Sequence, residues 1–340
     1  MSPRRLLRLP LRPALPLAAC LIAAGATGAA QANRYTLVDL GPAKYPSQIN
    51  DRDQIAGSGR NDHAIVWRAG RWHKLDAQVS HAEAINGAGD VAGDNGDGPV
   101  LWQRHEPARA LPLPDSATFG LAFGINDALT VVGLFFQNAD NTIRCFEWTE
   151  GGGSVDLGFM GAGDHCEASA INRRGQVTGE ASTTPLGPPH AFVFQDGAFA
   201  DLGTLPQGDG SQGLAINSHG DVAGRATVPP LDDMHWHAAV WRDGQLVDLD
   251  PDSTINQSVA ADINDRGDIV GTVTIDDQFT QRAVRFTSRG IVKLDGEVRN
   301  LAGWHVIQAQ GVNLQGDIVG VGLGPGGHPH GVLLMLESAD

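Results

Sequence analysis

Short apolar alternations recur along this chain, each ending in an aliphatic residue followed by Asn. The pairs are Ile49-Asn50, Ile85-Asn86, Ile125-Asn126, Ile171-Asn172, Ile216-Asn217, Ile263-Asn264 and Val312-Asn313. Seven residues after every one of these Asn residues stands a Gly: Gly57, Gly93, Gly133, Gly179, Gly224, Gly271 and Gly320. The stretch DINDRGDIVG, from Asp262 to Gly271, shows the whole unit. Two apolar runs flanking Asn-x-x-Gly read as a hairpin in which the Asn side chain caps its own turn and the Gly takes a positive φ. Asp53 and Leu129 replace that Gly in the first and third copies, so those two turns are expected to differ locally.

Each period continues with a third and a fourth run. The third opens on a polar residue and closes on a large one, as in His63 to Trp67, Arg144 to Trp148, His190 to Phe194, His237 to Trp241 and Arg282 to Phe286. Pro99 to Trp102 and His330 to Leu334 are the remaining copies. After a tight turn the fourth run ends in Asp-Leu or a relative of it, most clearly at Asp156-Leu157, Asp201-Leu202 and Asp248-Leu249. Alternation with aromatic and branched residues predicts four strands per period. Successive repeat Asn residues lie 36, 40, 46, 45, 47 and 49 apart, a period that indicates a blade or solenoid array.

The two ends of the array decide between those architectures. The seventh repeat stops after its third strand, at Leu336, whereas Tyr35 to Gly41 (YTLVDLG) is a fourth strand without the other three. Pairing the amino-terminal strand into the last blade supplies what each fragment lacks and removes the open sheet edges. A linear solenoid leaves both fragments unpaired. The expected fold is all-β: a seven-bladed β-propeller, four antiparallel strands per blade, over residues 33–340.

His190-Ala191-Phe192, its near copies and the I-N-x-x-G-x-x-x-G core together resemble the HAF-repeat family of bacterial proteins, from Tyr35 to the carboxyl terminus. The resemblance implies an extracellular location and brings no catalytic residue set. The Arg144, Arg282 and Pro99 copies depart from it and speak against a catalytic motif histidine.

Residues 1–32 read as a secretory leader. Arg4, Arg5, Arg8 and Arg12 precede an apolar Pro13 to Ala30, and Ala30-Gln31-Ala32 fits a signal-peptidase site, with cleavage expected after Ala32. Leu17-Ala18-Ala19-Cys20 offers a rival reading, a lipoprotein anchored at Cys20. Pro13 and Pro16 interrupt a run already short of bilayer length, which argues against a span. Of 24 basic and 39 acidic residues the leader holds four Arg and no acid, so the remaining 308 residues carry a net −19. Such a field repels nucleic acid and anionic membrane, and favours cations or basic partners. Cys145 and Cys166 are the two cysteines beyond the leader and are expected to form a disulfide in an oxidising compartment.

First-to-second and third-to-fourth connections read as tight, whereas second-to-third and fourth-to-first connections are long and dissimilar. Alternating strand direction brings both long sets to one face, the expected working side. Candidate ligand-binding residues there are Asp164, His165, Glu167, Asp232, Asp233, His235, Trp236, Asp276, Asp277, Trp304 and His305, with Asp94, Asp97 and Asp140 as further acids. Carboxylates in such numbers raise the possibility of Ca²⁺, although no stretch matches an EF-hand loop. No cofactor is expected otherwise. His235-x-His237 and His328-x-His330 have the spacing of paired ligands, but His237 and His330 hold the repeat's generic polar position, which favours a structural donor. The large residues closing the third strands read as packing between blades. Trp236 and Trp304 fall outside that register and are candidates for an exposed stacking surface.

G-x-S-x-G, H-E-x-x-H, a phosphate-cradling Gly loop and C-x-x-C are all missing from the sequence. The expected function is a secreted or periplasmic monomeric scaffold binding a protein or a surface glycan. The alternative is a polysaccharide hydrolase or lyase using two of Asp232, Asp233, Asp276 and Asp277. A purely structural envelope component is the third reading.

Overall fold

The computed structural model describes residues 35–337, apart from 77, 116, 138, 232–234, 253–256 and 277. The expected leader with Cys20, and the acids Asp232, Asp233 and Asp277, lie outside the described residues. The strands form seven four-stranded antiparallel sheets. From the centre outward, blade one comprises Tyr45–Ile49, Ile55–Gly59, His63–Arg68 and Arg71–Lys74. Blade two comprises His81–Ile85, Val91–Asp94, Pro99–Trp102 and Arg109–Ala110. Blade three comprises Ala117–Ile125, Val131–Gln137, Thr142–Thr149 and Gly153–Asp156. Blade four comprises Cys166–Ile171, Val177–Ser182, Pro189–Gln195 and Ala198–Asp201. Blade five comprises Ser211–Ile216, Val222–Thr227, Trp236–Arg242 and Gln245–Asp248. Blade six comprises Ser258–Ile263, Ile269–Thr274, Gln281–Thr287 and Gly290–Lys293. In blade seven, His305–Val312, Ile318–Leu323 and Pro329–Leu336 are followed outward by Tyr35–Pro42. The fold is a seven-bladed β-propeller.

Ring closure follows the expected pairing. Tyr35 to Pro42 runs antiparallel to the last strand, from Tyr35 opposite Leu336 to Pro42 opposite His330. Tyr35, Leu37 and Leu40 are buried by it, worth about 1.5–3 kcal/mol each. The Asn300 side chain also accepts from Leu37 N at 2.8 Å and donates to Leu37 O at 3.1 Å, which fastens the free edge. The apolar clusters lie between blades: one combines Ala84, Ala92 and Leu101 of blade two with Ala122, Val131 and Phe135 of blade three.

Every inner strand carries a bulge opposite the invariant Gly, between Ala168 and Ala170 in blade four for example. The bulge drives a carbonyl into the space where a side chain would start. A Cβ on Gly179 would lie 1.9 Å from Glu167 O, and the same 1.9 Å recurs at Gly93, Gly133, Gly224, Gly271 and Gly320. That is why this position tolerates no substitution along the array.

The repeat Asn does more than cap its turn. In blade four, Asn172 Oδ1 accepts from Arg174 N and Gln176 N, while Nδ2 donates to Gln176 Oε1 and to Asn217 O of the next blade. Asn50, Asn86, Asn126, Asn217 and Asn264 make the same donation to the following repeat Asn. All seven are buried. One acceptor and two donors on a short stem are needed, which excludes Asp. At the seam Asn313 donates instead to Asp53 Oδ1, at 3.0 Å. The turns at Asp53 and Leu129 do not differ from the rest, contrary to expectation. Both residues take a positive φ, 55° and 60°, and both amides bond back to the repeat Asn as the glycines do. The ring of interblade contacts fixes the turn and overrides the residue's own preference.

Tight connections lie together at one end and long ones at the other. One third-to-fourth connection departs from the tight pattern: residues 103–108 intervene in blade two, where Pro107 precedes an outer strand of only Arg109–Ala110. The long end is itself uneven, with brief links at 43–44 and 60–62 and extended ones at 157–165, 202–210 and 228–235. No helix among the described residues is long and apolar enough to cross a membrane.

Candidate functional site

Most polar residues of the repeat pattern are consumed by the scaffold. In blades four and five the third-strand His pairs with the outer-strand Asp of its own blade, His190 with Asp201 at 3.0 Å and His237 with Asp248 at 2.8 Å, whereas His63 of blade one meets Gln78 O at 2.7 Å. His330 meets Asp39 at 2.8 Å, so the amino-terminal strand completes blade seven as Asp201 completes blade four. Arg144 holds Asp156 in the same way at 2.8 Å. Each Asp also accepts from the backbone two residues on, such as Gly203 N and Gly158 N. These histidines are structural donors, as their repetition indicated.

Cys145 and Cys166 form the expected disulfide, with Cα atoms 5.1 Å apart, and it joins blade three to blade four. At three other junctions a Ser stands where Cys166 does. Ser80, Ser211 and Ser258 accept through Oγ from Ala64 N, Ala191 N and Ala238 N, at 2.8–3.0 Å. The disulfide is thus a covalent form of a tie the array uses repeatedly.

What remains is concentrated at the long-loop end, over blades four to seven. On blade four, Glu167 lies opposite Glu180 across the first two strands. His165 Nε2 is 3.7 Å from a carboxylate oxygen of each. Ser182 Oγ and the His165–Ser182 backbone contacts hold this His in place. Interaction with Glu180 raises the His165 pKa against the opposing effect of burial, and Glu167 adds to it. Burial raises Glu167, with repulsion from Glu180 contributing.

On blade five the corresponding cross-strand pair is Gln212 and Arg225, with Arg225 Nε donating to Gln212 Oε1 at 3.0 Å. The guanidinium lies 4.4 Å from the centre of the Trp236 ring. Burial lowers the Arg225 pKa, offset in part by Glu180. Beyond it opens a groove of about 380 Å³, lined by Trp236, Gln257, Thr272, Gln281, Gln308 and Gln310 among others. Gln308 donates to Gln281 at 2.9 Å, tying blade seven to blade six. The groove therefore joins one indole, one cation and a row of amides and hydroxyls on rigid strands.

Of the described candidates the structure brings His165 and Glu167 together with Glu180, and sets Trp236 beside Arg225. Asp164 ties its loop to the second-to-third connection of blade four, accepting from Ser182 Oγ and Leu186 N. Asp276 accepts from Gln278 N and Thr280 N, and those bonds, Thr280's first, lower its pKa. His305 is exposed and pairs with Asp295 at 3.1 Å. His235 is half-buried, its carbonyl accepting from Val228 N. Trp304 is no open platform: it is half-buried, packs against the blade-seven core and meets the His330 ring edge-on at 5.1 Å. Asp94 pairs with His81, and Asp140 with Arg144.

Glu180, Arg225 and the glutamines escaped the sequence reading. Glu180 and Arg225 each directly follow an invariant Gly, a place held by Ser58, Asp94, Leu134, Thr272 and Val321 elsewhere. Charge at that register was the available signal.

No family model matches the sequence, and no curated protein does. The fold is similar to the β-propeller domain of the Trilobed protease from Pyrococcus furiosus, with a TM-score of 0.51 and 10% identity over 89% of this chain and 94% of that one. That domain is described as having an open velcro topology, whereas here the terminal strands pair. An acylaminoacyl peptidase in complex with Z-Gly-Gly-Phe-chloromethyl ketone aligns with a TM-score of 0.50 and 10% identity, over 82% of this chain and 49% of that one. TolB from Acinetobacter baumannii aligns with a TM-score of 0.47 and 10% identity, over 84% and 64%. At such identities the likeness is one of fold alone.

Proposed function

We propose that this protein is an exported binding scaffold that holds a surface glycan on its long-loop face. The observation that carries the reading is the groove beside Trp236. An indole offers a flat apolar face to a sugar ring, and the amides of Gln257, Gln281, Gln308 and Gln310 can donate to and accept from hydroxyls. Trp236, Gln281, Gln308 and Gln310 sit on paired strands, so little order has to be imposed on binding. A protein partner at the same face is the other expected ligand class, and the groove's amide-rich lining favours the glycan. Export is supported by the leader-like residues 1–32, by the HAF-type repeats and by the disulfide, a bond that persists in oxidising compartments.

The test is a glycan array probed with the labelled full chain, followed by calorimetry on the glycan bound. Trp236→Ala and Gln308→Ala should each weaken binding at least tenfold, while Arg104→Ala on the opposite face should leave it unchanged. The proposal fails if no glycan binds, or if neither groove variant alters affinity.

A further inference from the structure

The blade-four pair is chemically odd among its counterparts. At the same cross-strand position blade two sets His81 against Asp94, at 3.2 Å, and blade five sets Gln212 against Arg225. Blade one offers Tyr45 and Ser58, and blade six Val259 and Thr272. Blade four alone among these places two carboxylates opposite each other, half-buried, where like charges oppose pairing. One imidazole supplies at most one positive charge against two. Arg225 relieves part of the charge on Glu180, but its guanidinium donates to Gln212 and lies over Trp236.

We propose that His165, Glu167 and Glu180 are the protein ligands of a divalent transition-metal ion, Zn²⁺ in the first instance, bound beside the groove at the long-loop end. The three ligand atoms all lie within 4.8 Å of one another, and two of their separations are 3.7 Å. A tetrahedral Zn²⁺ with bonds of about 2.1 Å sets its ligands about 3.4 Å apart, so the imidazole need close on each carboxylate by only about 0.3 Å and the two carboxylates on each other by at most about 1.4 Å. One imidazole with two carboxylates leaves the fourth position to water. Ca²⁺ is a poorer fit, because it asks for six to eight oxygens. The frame is firm: Glu167 and Glu180 sit on paired strands, Cys166 between His165 and Glu167 is disulfide-bonded, and Ser182 holds the His165 backbone. Metal-site and glycan readings are separable, since they use different residues.

The experiment uses the untagged full chain, stripped with chelator and titrated with Zn²⁺ against a chromophoric competitor. One equivalent should bind, and His165→Gln and Glu180→Gln should each raise Kd at least a hundredfold. Glu83→Gln, a channel carboxylate outside the cluster, should leave Kd unchanged. Co²⁺ in place of Zn²⁺ should give visible absorption bands in the wild-type protein and none in the triple variant H165Q/E167Q/E180Q. Zn²⁺ should raise the wild-type Tm and leave that of the triple variant where it is; a cooperative melt shows that the variant is folded. The proposal is overturned if the wild type shows no saturable binding. It is overturned equally if the triple variant binds as tightly, which would seat the ion elsewhere.

Discussion

Replacing Cys145 by Ala and Cys166 by Ser should convert the junction between blades three and four into the form found at Ala64–Ser80, Ala191–Ser211 and Ala238–Ser258. The disulfide closes a sequence separation of 21 residues. In the chain-entropy account, releasing a loop of that size costs about 3 kcal/mol. A serine hydroxyl introduced in place of the Cys166 thiol, positioned as that of Ser211 is, regains a hydrogen bond from the backbone amide across the junction worth about 1 kcal/mol. The net loss for C145A/C166S is therefore about 2 kcal/mol. For C145A/C166A it is about 3 kcal/mol, since no acceptor is restored. A domain of roughly 300 residues unfolds with an entropy of roughly 0.6 kcal/mol/K, so the expected drops in Tm are about 3 °C and about 5 °C. Calorimetry on reversible melts, with urea unfolding alongside, checks the order. If the two double variants melt together, the serine tie contributes nothing. If both melt with the wild type, the interblade link is irrelevant to stability and the reasoning is refuted.

Three further predictions concern the scaffold. Burial pushes the Asp262 carboxyl up to about 6 from an ordinary 3.8, although Val312 N and Ile263 N both donate to it. The folded state then holds more protons than the unfolded one between those values, so the Asp262 contribution to stability is lost as pH rises from about 4 to about 6. Asp262→Asn should remove that slope, gaining on the wild type by about 1–3 kcal/mol at pH 7 relative to pH 4 in urea unfolding; Gln48 already ties Ile85 N with a neutral amide at the matching place in blade one. Gly179→Ala should abolish soluble folding or cost at least about 4 kcal/mol, because Glu167 O occupies the new Cβ position. Gly197→Ala, with φ +80° and open space around it, should cost only about 1 kcal/mol in the same measurement. Asn172→Asp should lose both donations, to Asn217 O and to Gln176 Oε1, and destabilise by about 3 kcal/mol or more on thermal unfolding.

Much of the architecture was legible in the amino-acid sequence because its causes are local. Alternation within each strand, the Asn-initiated turn, the Gly seven residues on and the unmatched strands at the two ends all act through neighbouring residues or through counting. They determined the blade number, the closure by Tyr35 to Pro42, the Cys145–Cys166 bond and the face that carries the long loops. Other features depend on what lies across a junction, 36 to 49 residues away. The donation of Asn172 to Asn217 requires two neighbouring blades to pack, and the stand-in of Asp53 for Asn313 requires the ring to close. The facing of Glu167 and Glu180 lies within one hairpin of blade four, yet it too escaped the sequence. A one-residue bulge sets it, and alternation alone does not reveal which side chains share a face once a strand has been kinked. The chain's own pattern determined the ring; only the packed ring decided which of its polar side chains are spent on holding it together and which are left over for a ligand.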